Sequence, residues 1–374
     1  MIRRLIVLCL IGYFSASLLA ADVPQGPKVE VCFVLDTTGS MGGLIEGAKQ
    51  KIWSIANDMI ALKPKPQSIK FALVGYRDRG DDYITKPFDL TDDIDTVFKN
   101  LKDFSANGGG DGPESVNQAL DEAVEKIAWS KEKDTLRIIF LVGDAPPHMD
   151  YANDVKYPDI CKKAVTKGLI INAVQCGNEG DTTPIWQEIA RLSEGTFIQL
   201  GQTGDMVAIT TPMDKELAEL NHEIGKTMVG YGGAGGRAFR SDAAAAMSAK
   251  QAAAEEAPAS VTADRLKYNL ASDKTVQGED ELIDAINGNQ VKLEDLKDEQ
   301  LPEDLRKLTP EQRKARVEEL TKQRADIRAK IEKLSKARDE YIVAEKKKLA
   351  EAGKKDSFDD EVSKTIEEQV KRKK

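Results

Sequence analysis

Apolar positions follow two different periods along residues 28–228. Short runs that are almost wholly apolar, such as VEVCFVLD (29–36), alternate with longer stretches whose apolar residues recur every three or four positions. The first pattern predicts strands buried on both faces, and the second predicts amphipathic helices. Strands are predicted at 29–36, 68–78, 83–88, 135–144, 168–176 and 196–200. Helices are predicted at 40–62, 92–104, 114–129, 152–167, 183–193 and 203–225.

Alternating strands and helices predict an α/β fold. We expect a doubly wound, mostly parallel six-stranded sheet with helices on both faces, because consecutive parallel strands need a helical crossover between them. Ligands bind to such sheets beyond the carboxyl ends of the strands, near the point where the strand order reverses. Polar residues that directly follow the predicted strands are therefore the candidates for function.

The pattern changes after residue 228. Of the 31 residues in 230–260, 17 are Ala or Gly, and large apolar residues are scarce. We predict that residues 229–261 form a linker, in which the Ala-rich part is at most a loose helix, because such a composition cannot bury a core. Residues 262–374 are strongly charged and have the composition of helices.

A long helix is predicted at about 310–350. Thr309 can cap it, Pro310 suits its first position, and Gln312 completes a capping box. Its apolar residues step by threes, fours and sevens, which is typical of a short, imperfect coiled coil. We name this stripe the heptad seam; its members are Val317, Leu320, Arg324, Ile327, Ile331, Leu334, Arg338 and Tyr341. The seam can pair with a partner helix, which would allow self-association, or lie on its own chain.

The first residues have the pattern of a secretory signal peptide. Arg3 and Arg4 precede a short apolar stretch, and small residues stand at Ala20 and Ala21. We predict that residues 1–21 are a signal peptide and that the remaining chain is extracytoplasmic, periplasmic or secreted, and does not span a membrane; an uncleaved anchor helix is the alternative. Loss of the two arginines takes the net charge from -9 to -11. A protein with this much negative charge is a poor candidate for binding nucleic acid.

The remaining cysteines do not suggest a disulfide framework. Cys32 and Cys176 fall in predicted strands, and Cys161 falls within a predicted helix. The predicted separation of Cys161 and Cys176 exceeds the roughly 7 Å between Cα atoms that a disulfide tolerates. We therefore predict buried free thiols.

Three loops carry oxygen-rich side chains at the same predicted edge of the sheet. The first is DTTGS (36–40), the second is GGGDGPE (108–114), and the third is GDAPPH (143–148). In the usual strand order, Asp36 and Asp144 end adjacent strands, so their carboxylates would repel each other unless protonated or bridged by a cation. Thr38 and Ser40 add neutral hydroxyls. Carboxylates, hydroxyls and water are the ligands that Mg²⁺ prefers.

With these three loops in order, residues 28–228 resemble a von Willebrand factor type A domain. DTTGS resembles the D-x-S-x-S core of that family's metal-ion-dependent adhesion site, with threonine at the middle position. The resemblance implies hydroxyl ligands at Thr38 and Ser40 and carboxylate ligands, direct or through water, at Asp36 and Asp144. The ion it implies is divalent, Mg²⁺ first, with Ca²⁺ or Mn²⁺ as alternatives.

The second loop departs from the family pattern, because Asp111 stands where a threonine is usual. As a third carboxylate, Asp111 would make the site net negative and weaken its attraction for an acidic partner residue. Asp111 and Glu114 also have the spacing of a helix capping box, so Asp111 could bind the ion, cap the helix, or do both.

Two further residues follow strands at this edge. Arg77 could orient the carboxylate of a ligand or pair with Asp78, and the pairing is favoured. His148 could line the rim of the site or serve only its loop. Ser40 could simply cap a helix. This alternative is less favoured because Asp36 and Asp144 are predicted at the same edge.

The resemblance implies a non-enzymatic binding protein that uses a metal-dependent adhesion-type site to engage a protein or cell-surface ligand. The alternative is a structural or assembly protein that acts through its coiled coil, with the metal only stabilising the domain. A metal-dependent hydrolase is the third hypothesis. We do not expect an enzyme, because the chain has two histidines, His148 and His222, and lacks H-E-x-x-H.

Overall fold

The computed structural model describes residues 26–110, 112–233, 235–353 and 357–373. The predicted signal peptide and Asp111 lie outside the described residues. The strands are β1 (Lys28–Asp36), β2 (Ser68–Tyr76), β3 (Thr85–Thr91), β4 (Thr135–Gly143), β5 (Leu169–Cys176) and β6 (Phe197–Leu200).

These strands form one six-stranded sheet in the order β3-β2-β1-β4-β5-β6. All neighbours pair in parallel except β3, which is antiparallel to β2. The predicted fold class is thus confirmed. Because β1 lies between β2 and β4, the order reverses at its carboxyl end. The pairing of Leu35 with Val142 then brings Asp36 and Asp144 to the same edge.

Helices cover both faces of the sheet, as amphipathic crossovers must. On one face, α1 (Gly42–Ile60) and α2 (Ile94–Lys102) pack in a core with the apolar side chains of β1, β2 and β4. On the other face, α3 (Val116–Glu125), α4 (Tyr157–Thr166) and α5 (Thr182–Leu192) build the second core, which includes the buried Trp186. The sheet is therefore buried from both sides.

The helix predicted at 203–225 is shorter than expected: α6 spans Asp214–Gly225. The carboxylate of Asp214 accepts hydrogen bonds from the backbone N–H and the hydroxyl of Thr211, at 2.7 Å and 2.8 Å. These bonds fix the start of the helix, as side-chain caps do. The residues from 201 to 210 instead form a loop beside the first strand's end.

Six more α-helices follow in the part of the chain that the structure describes. They are α7 (Ser241–Glu255), α8 (Ala259–Ala271), α9 (Leu282–Asn287), α10 (Glu303–Arg306), α11 (Pro310–Glu351) and α12 (Phe358–Arg372). The Ala-rich stretch of the predicted linker forms α7, which buries Met247, Gln251 and Ala254. Small side chains allow this helix to approach its neighbours closely.

The heptad seam of α11 packs on helices of the same chain. Val317, Leu320, Arg324, Ile331 and Arg338 are buried. Ile331 belongs to a cluster with apolar residues of α6 and α8, and Val317 belongs to a cluster with residues of α9 and α10. Of the two alternatives for the seam, the structure shows the one in which the helix lies on its own chain.

The two arginines in the seam are buried in ion-pair networks. Arg324 contacts Glu281 and Asp284 at 2.7 Å and 2.6 Å, and Arg338 contacts Asp214 and Asp264 at 2.7 Å and 2.6 Å. An unpaired buried charge is costly, so each arginine fixes the position of α11 against the helices that supply its partners.

The last helix, α12, completes the face of the sheet that α1 and α2 leave partly uncovered. Phe358, Val362, Ile366 and Val370 belong to the same core as Phe33 of β1. Gln369 also exchanges hydrogen bonds with the buried side chain of Asn172 on β5. The α/β domain therefore takes part of its core from the far end of the chain.

Cys32, Cys161 and Cys176 are buried free thiols, as predicted. Burial raises the pKa of Cys161 to about 12 and raises those of the other two thiols as well. Within the described part of the chain, none of the helices combines the length and apolarity needed to cross a bilayer.

Candidate metal centre

The first loop brings three oxygen-bearing side chains together. Asp36 ends β1 and is fully buried. Its Oδ1 accepts hydrogen bonds from the backbone N–H of Thr38 at 2.8 Å and from the Thr38 hydroxyl at 2.7 Å. The Thr38 and Ser40 hydroxyl oxygens lie 3.3 Å apart. Alternate residues of the loop thus face one point, as the D-x-T-x-S spacing suggests.

The third loop adds Asp144 beside Asp36. A Cβ atom at Gly143 would lie 3.1 Å from Asp36 Oδ2 and 2.4 Å from the hydroxyl oxygen of Tyr76. Glycine is therefore what allows β4 to end so close to the first loop. Asp144 Oδ2 accepts a hydrogen bond of 2.6 Å from the side-chain amide of Gln202, which fixes one of its oxygens.

The second loop lies against the first. The backbone N–H of Gly39 donates to the carbonyl of Gly108 at 3.2 Å, and that of Asn107 donates to the carbonyl of Thr37 at 3.1 Å. Gly108 and Gly109 have positive φ angles of 78° and 79°, which favour glycine. Helix α3 begins at Val116 with Ser115 at its N-cap, whereas we expected the helix from residue 114.

Glu114 is the site residue that the sequence reasoning missed. We considered it as a helix-capping partner, but its side chain is buried among the acidic groups of the site. A Cβ atom at Gly109 would lie 3.2 Å from Glu114 Oε1 and 3.3 Å from Thr38 Cβ, so Gly109 lies between the two side chains. The proline before it and the strand-like bridge between Glu114 and Pro147 hold it there. The Pro-Glu pair in a glycine-rich loop was the available signal.

Three buried oxygens of this site have no hydrogen-bond partner among the described residues: Asp36 Oδ2, Glu114 Oε2 and the hydroxyl of Tyr76. Burial removes these groups from water, and no hydrogen bond offsets the free-energy cost. Burial, with the carboxylate of Asp144 adding to it, raises the pKa of Asp36 to about 7 against the lowering effect of the Thr38 hydrogen bonds. Burial and the carboxylates of Asp36 and Asp78 raise the pKa of Glu114 to about 9.

The donor set fits a hard divalent cation. Asp36 and Asp144 offer carboxylates, Thr38 and Ser40 offer hydroxyls, and the unpartnered Asp36 Oδ2 is buried at their centre. A cation would remove the repulsion between the carboxylates and satisfy that oxygen. Among the described residues, no group of three or more His, Cys, Asp or Glu side chains is arranged to hold a metal. The candidate centre is therefore a mixed set of two carboxylates and two hydroxyls.

Arg77 joins the first and second loops. Its guanidinium donates to the carbonyl oxygens of Thr37 and Ser105, at 3.1 Å and 2.8 Å, and stacks over the ring of Tyr83 at 4.4 Å. The expected pairing with Asp78 is wrong, because the acidic contact of Arg77 is Asp82 at 3.5 Å. The side chain is buried, so its carbonyl contacts hold two loops of the site in register.

His148 lies at the side of the site. Its ring stacks on that of Tyr151 with centroids 4.0 Å apart, and its nitrogens contact Asp150 at 2.8 Å and Asp78 at 3.4 Å. Tyr151 and Ser115 also donate to Asp78, each at 2.8 Å. The histidine is thus part of a polar network that supports the second and third loops.

The comparisons with known proteins concern the α/β part of the chain. Residues 30–202 match the family model of the von Willebrand factor A domain. An ariadne-like RING finger protein of Acanthamoeba polyphaga mimivirus is 22% identical over 199 residues, or 49% of this chain and 19% of that protein. The von Willebrand factor A domain-containing protein 7 of Rattus norvegicus is 34% identical over 121 residues, which is 32% of this chain.

The chain covers small parts of these relatives, 19% of the first and 12% of the second. Among solved structures, proximal thread matrix protein 1 of the mussel byssus is described with a zinc-occupied MIDAS motif. The match has a TM-score of 0.38 and 16% identity, and it covers 47% of this chain and 42% of that one.

Proposed function

Because residues 30–202 form a von Willebrand factor A domain, we propose that this protein is a non-enzymatic binding module of the extracytoplasmic space. It engages a protein or cell-surface ligand through a divalent ion held by Asp36, Thr38, Ser40 and Asp144. Mg²⁺ is the ion we favour, since all four side chains offer hard oxygen donors.

The observation that carries this proposal is the buried Asp36 Oδ2, which has no hydrogen-bond partner among the described residues. It lies at the carboxyl end of the central strand, beside Asp144 and next to two hydroxyls whose oxygens lie 3.3 Å apart. A helix cap would need one hydroxyl and would not require a second buried carboxylate. A bound ion explains the whole set, because it would compensate both charges.

When bound, the ion would offer a coordination position to an oxygen of the ligand. The chain's own residues prepare that position. Gln202 donates a hydrogen bond to Asp144 Oδ2, which fixes the orientation of this carboxylate at the centre. Thr38 orients Asp36 through two hydrogen bonds to Oδ1, so Oδ2 is the oxygen left for the ion.

The acidic groups around the centre affect which ligand it accepts. Asp36 and Asp144 together balance the charge of a divalent ion, and a bound ion would favour the ionisation of Glu114, which is buried beside them. Every additional negative charge reduces the attraction of the centre for an acidic side chain of a partner. Neutral oxygens, such as carbonyls, hydroxyls or amide groups, are thus favoured over a carboxylate as the ligand's contacts.

The alternative function, assembly through the C-terminal helix, has weaker support. Five residues of the heptad seam, among them Val317, Arg324 and Arg338, are buried on the chain's own helices. Pairing of this seam with a second chain would require α11 to leave those contacts.

The test is ligand capture with a matched control. The immobilised full chain is exposed to an extract of the native envelope in Mg²⁺ or in EDTA, and bound proteins are identified by mass spectrometry. We expect a ligand that is retained in Mg²⁺, lost in EDTA, and lost with Asp36→Ala. The control is Asp304→Ala, which removes an exposed acid of α10.

Two outcomes would contradict the proposal. One is a ligand retained equally in EDTA and by the Asp36→Ala protein. The other is the absence of any effect of Mg²⁺, Ca²⁺ or Mn²⁺ on the melting temperature of the full chain, which would mean that no ion binds.

A further inference from the structure

The two edges of the sheet differ in how they are protected. Edge strands expose backbone groups that can pair with another chain, and proteins commonly blunt them with proline or charged residues. One edge, β3, contains Lys86, Pro87 and Asp89. The other edge, β6, has the sequence FIQL, with neither proline nor charge. The β6 edge lacks those two forms of protection.

The hydrogen-bond pattern identifies the backbone groups on the open side of β6. The N–H of Ala173 donates to the carbonyl of Thr196, and that of Gly177 donates to the carbonyl of Leu200. In a parallel ladder, alternate residues bond to the same neighbour. Residues 196, 198 and 200 therefore face β5, and the N–H and C=O groups of Phe197 and Gln199 point away from it.

A groove of about 500 Å³ runs along this edge. It is lined by residues 196–200, and its two charged lining residues, Asp205 and Glu361, are both acidic. Among the described residues, no Lys, Arg or His side chain lines it. The groove thus combines the outward N–H and C=O groups of Phe197 and Gln199 with two acidic side chains.

We propose that the β6 edge is a docking surface for an extended peptide segment of another protein, which pairs with Phe197 and Gln199 and places lysine or arginine near Asp205 and Glu361. Main-chain hydrogen bonds supply affinity in this mode of recognition, and side chains supply specificity. A second copy of this chain fits less well, because its own acidic residues would enter the same groove. The surface excludes the four proposed ion ligands, so peptide binding does not need the ion.

The experiment selects peptides on the immobilised full chain from a displayed library of random heptapeptides, in EDTA. Selected peptides are synthesised, and their dissociation constants are measured by fluorescence polarisation. The key variant is Gln199→Pro, which removes an outward N–H while keeping the N–H groups that face β5. The matched control is Gln199→Ala. Both lose the side-chain bond of Gln199 to the carbonyl of Gly177.

We expect selected peptides rich in Lys or Arg, with binding weakened at least about tenfold by Gln199→Pro and about twofold or less by Gln199→Ala. Combined Asp205→Asn and Glu361→Gln should weaken binding and reduce its dependence on salt. N-methylation of the peptide amides on the edge that pairs with β6 should abolish binding, whereas N-methylation of the amides on the other edge should not. This test leaves the protein unchanged.

Equal affinity for the wild type and the folded Gln199→Pro protein would overturn the proposal, as would selection of acidic peptides or tolerance of N-methylation on both peptide edges. If Gln199→Pro instead dissolves a dimer seen by sedimentation, the occupant is a second copy and the proposed partner is wrong. Because selection is done in EDTA, failure here leaves the ion-dependent function untouched, and failure of that function leaves this test valid.

Discussion

The aromatic rings of Phe33 and Phe358 lie 6.3 Å apart between centroids, although one belongs to the first strand and the other to the last helix of the described chain. Phe33 also stacks on Phe140 of β4 at 5.6 Å. The contact shows that α12 is an integral layer of the α/β domain. A fragment ending near residue 228 would leave part of this face of the sheet uncovered.

Phe358→Ala should therefore destabilise the whole domain. The side chain is 2% exposed, and removal of a buried phenylalanine costs about 3–5 kcal/mol. Urea unfolding monitored by near-ultraviolet circular dichroism measures the change. The control is Val343→Ala on α11, where the side chain is 68% exposed and little change is expected. Equal stability of the two variants would show that α12 does not complete the core.

Mg²⁺ should raise the melting temperature of the full chain. A ligand present at 100 times its dissociation constant stabilises the folded state by about 2.7 kcal/mol. Asp144→Ala should abolish the increase, because it removes one of the two carboxylates. Gln202→Ala should shift the half-effective Mg²⁺ concentration upward several-fold, since it frees the Asp144 oxygen that Gln202 holds.

Differential scanning fluorimetry across a Mg²⁺ titration gives both values. Gln199→Ala, which removes an exposed amide on β6, should behave as the wild type. A normal Mg²⁺ response in the Asp144→Ala protein would exclude that residue from the centre.

Glu114 should make the ion-free protein less stable as the pH rises. Its folded pKa is raised from 4.5 to about 9 by burial and neighbouring carboxylates, so the folded state binds more protons than the unfolded state between these values. The stabilisation is complete below about pH 4.5 and is lost as the pH rises through about 9. In EDTA, the melting temperature should fall from pH 6 to pH 9.5.

Glu114→Gln should remove the part of this decline that lies above about pH 7, because glutamine does not titrate; Asp36, whose pKa is raised to about 7, contributes below that pH. Glu303→Gln removes an exposed carboxylate on α10 and should preserve the decline. If Glu114→Gln and the wild type lose stability in parallel, Glu114 is not the group responsible.

Arg324→Ala should be among the most damaging changes in the C-terminal helices. The side chain is 1% exposed, and its loss leaves the buried Glu281 and Asp284 without their cation. Breaking such a buried pair costs about 3–5 kcal/mol. On the same helix, Arg316→Ala removes an exposed pair with Glu319 and should change stability little. Chemical denaturation of both proteins provides the comparison.

The sequence was sufficient for the sheet and for the convergence of its first and third loops. Strands such as β1 and β4 are covered on both faces, so their apolar runs are unbroken, and Asp36 and Asp144 stand directly after them. Chain order and the usual doubly wound arrangement then place these two acids at one edge. The close approach of the Thr38 and Ser40 hydroxyls followed from alternate spacing in a short loop.

Longer-range features were not accessible in this way. Nothing in the pattern of residues 358–372 indicates which surface they cover, because amphipathic helices bury their apolar face against any apolar partner. Arg324 and Arg338 looked like defects of a coiled coil, and their acidic partners lie on separate helices. The buried position of Glu114 could not be predicted from the sequence, because the same local pattern also fits a helix-capping motif.

The packing of α12 against the sheet also makes the order of synthesis important for folding. Translation proceeds from the amino end, so β1 and its neighbours are synthesised long before residue 370 exists. Until then, one side of the sheet presents apolar surface, and such surfaces favour aggregation of partly folded chains. Premature termination between Asp144 and α12 would yield a product that carries every proposed ion ligand yet remains a target for chaperones and proteases.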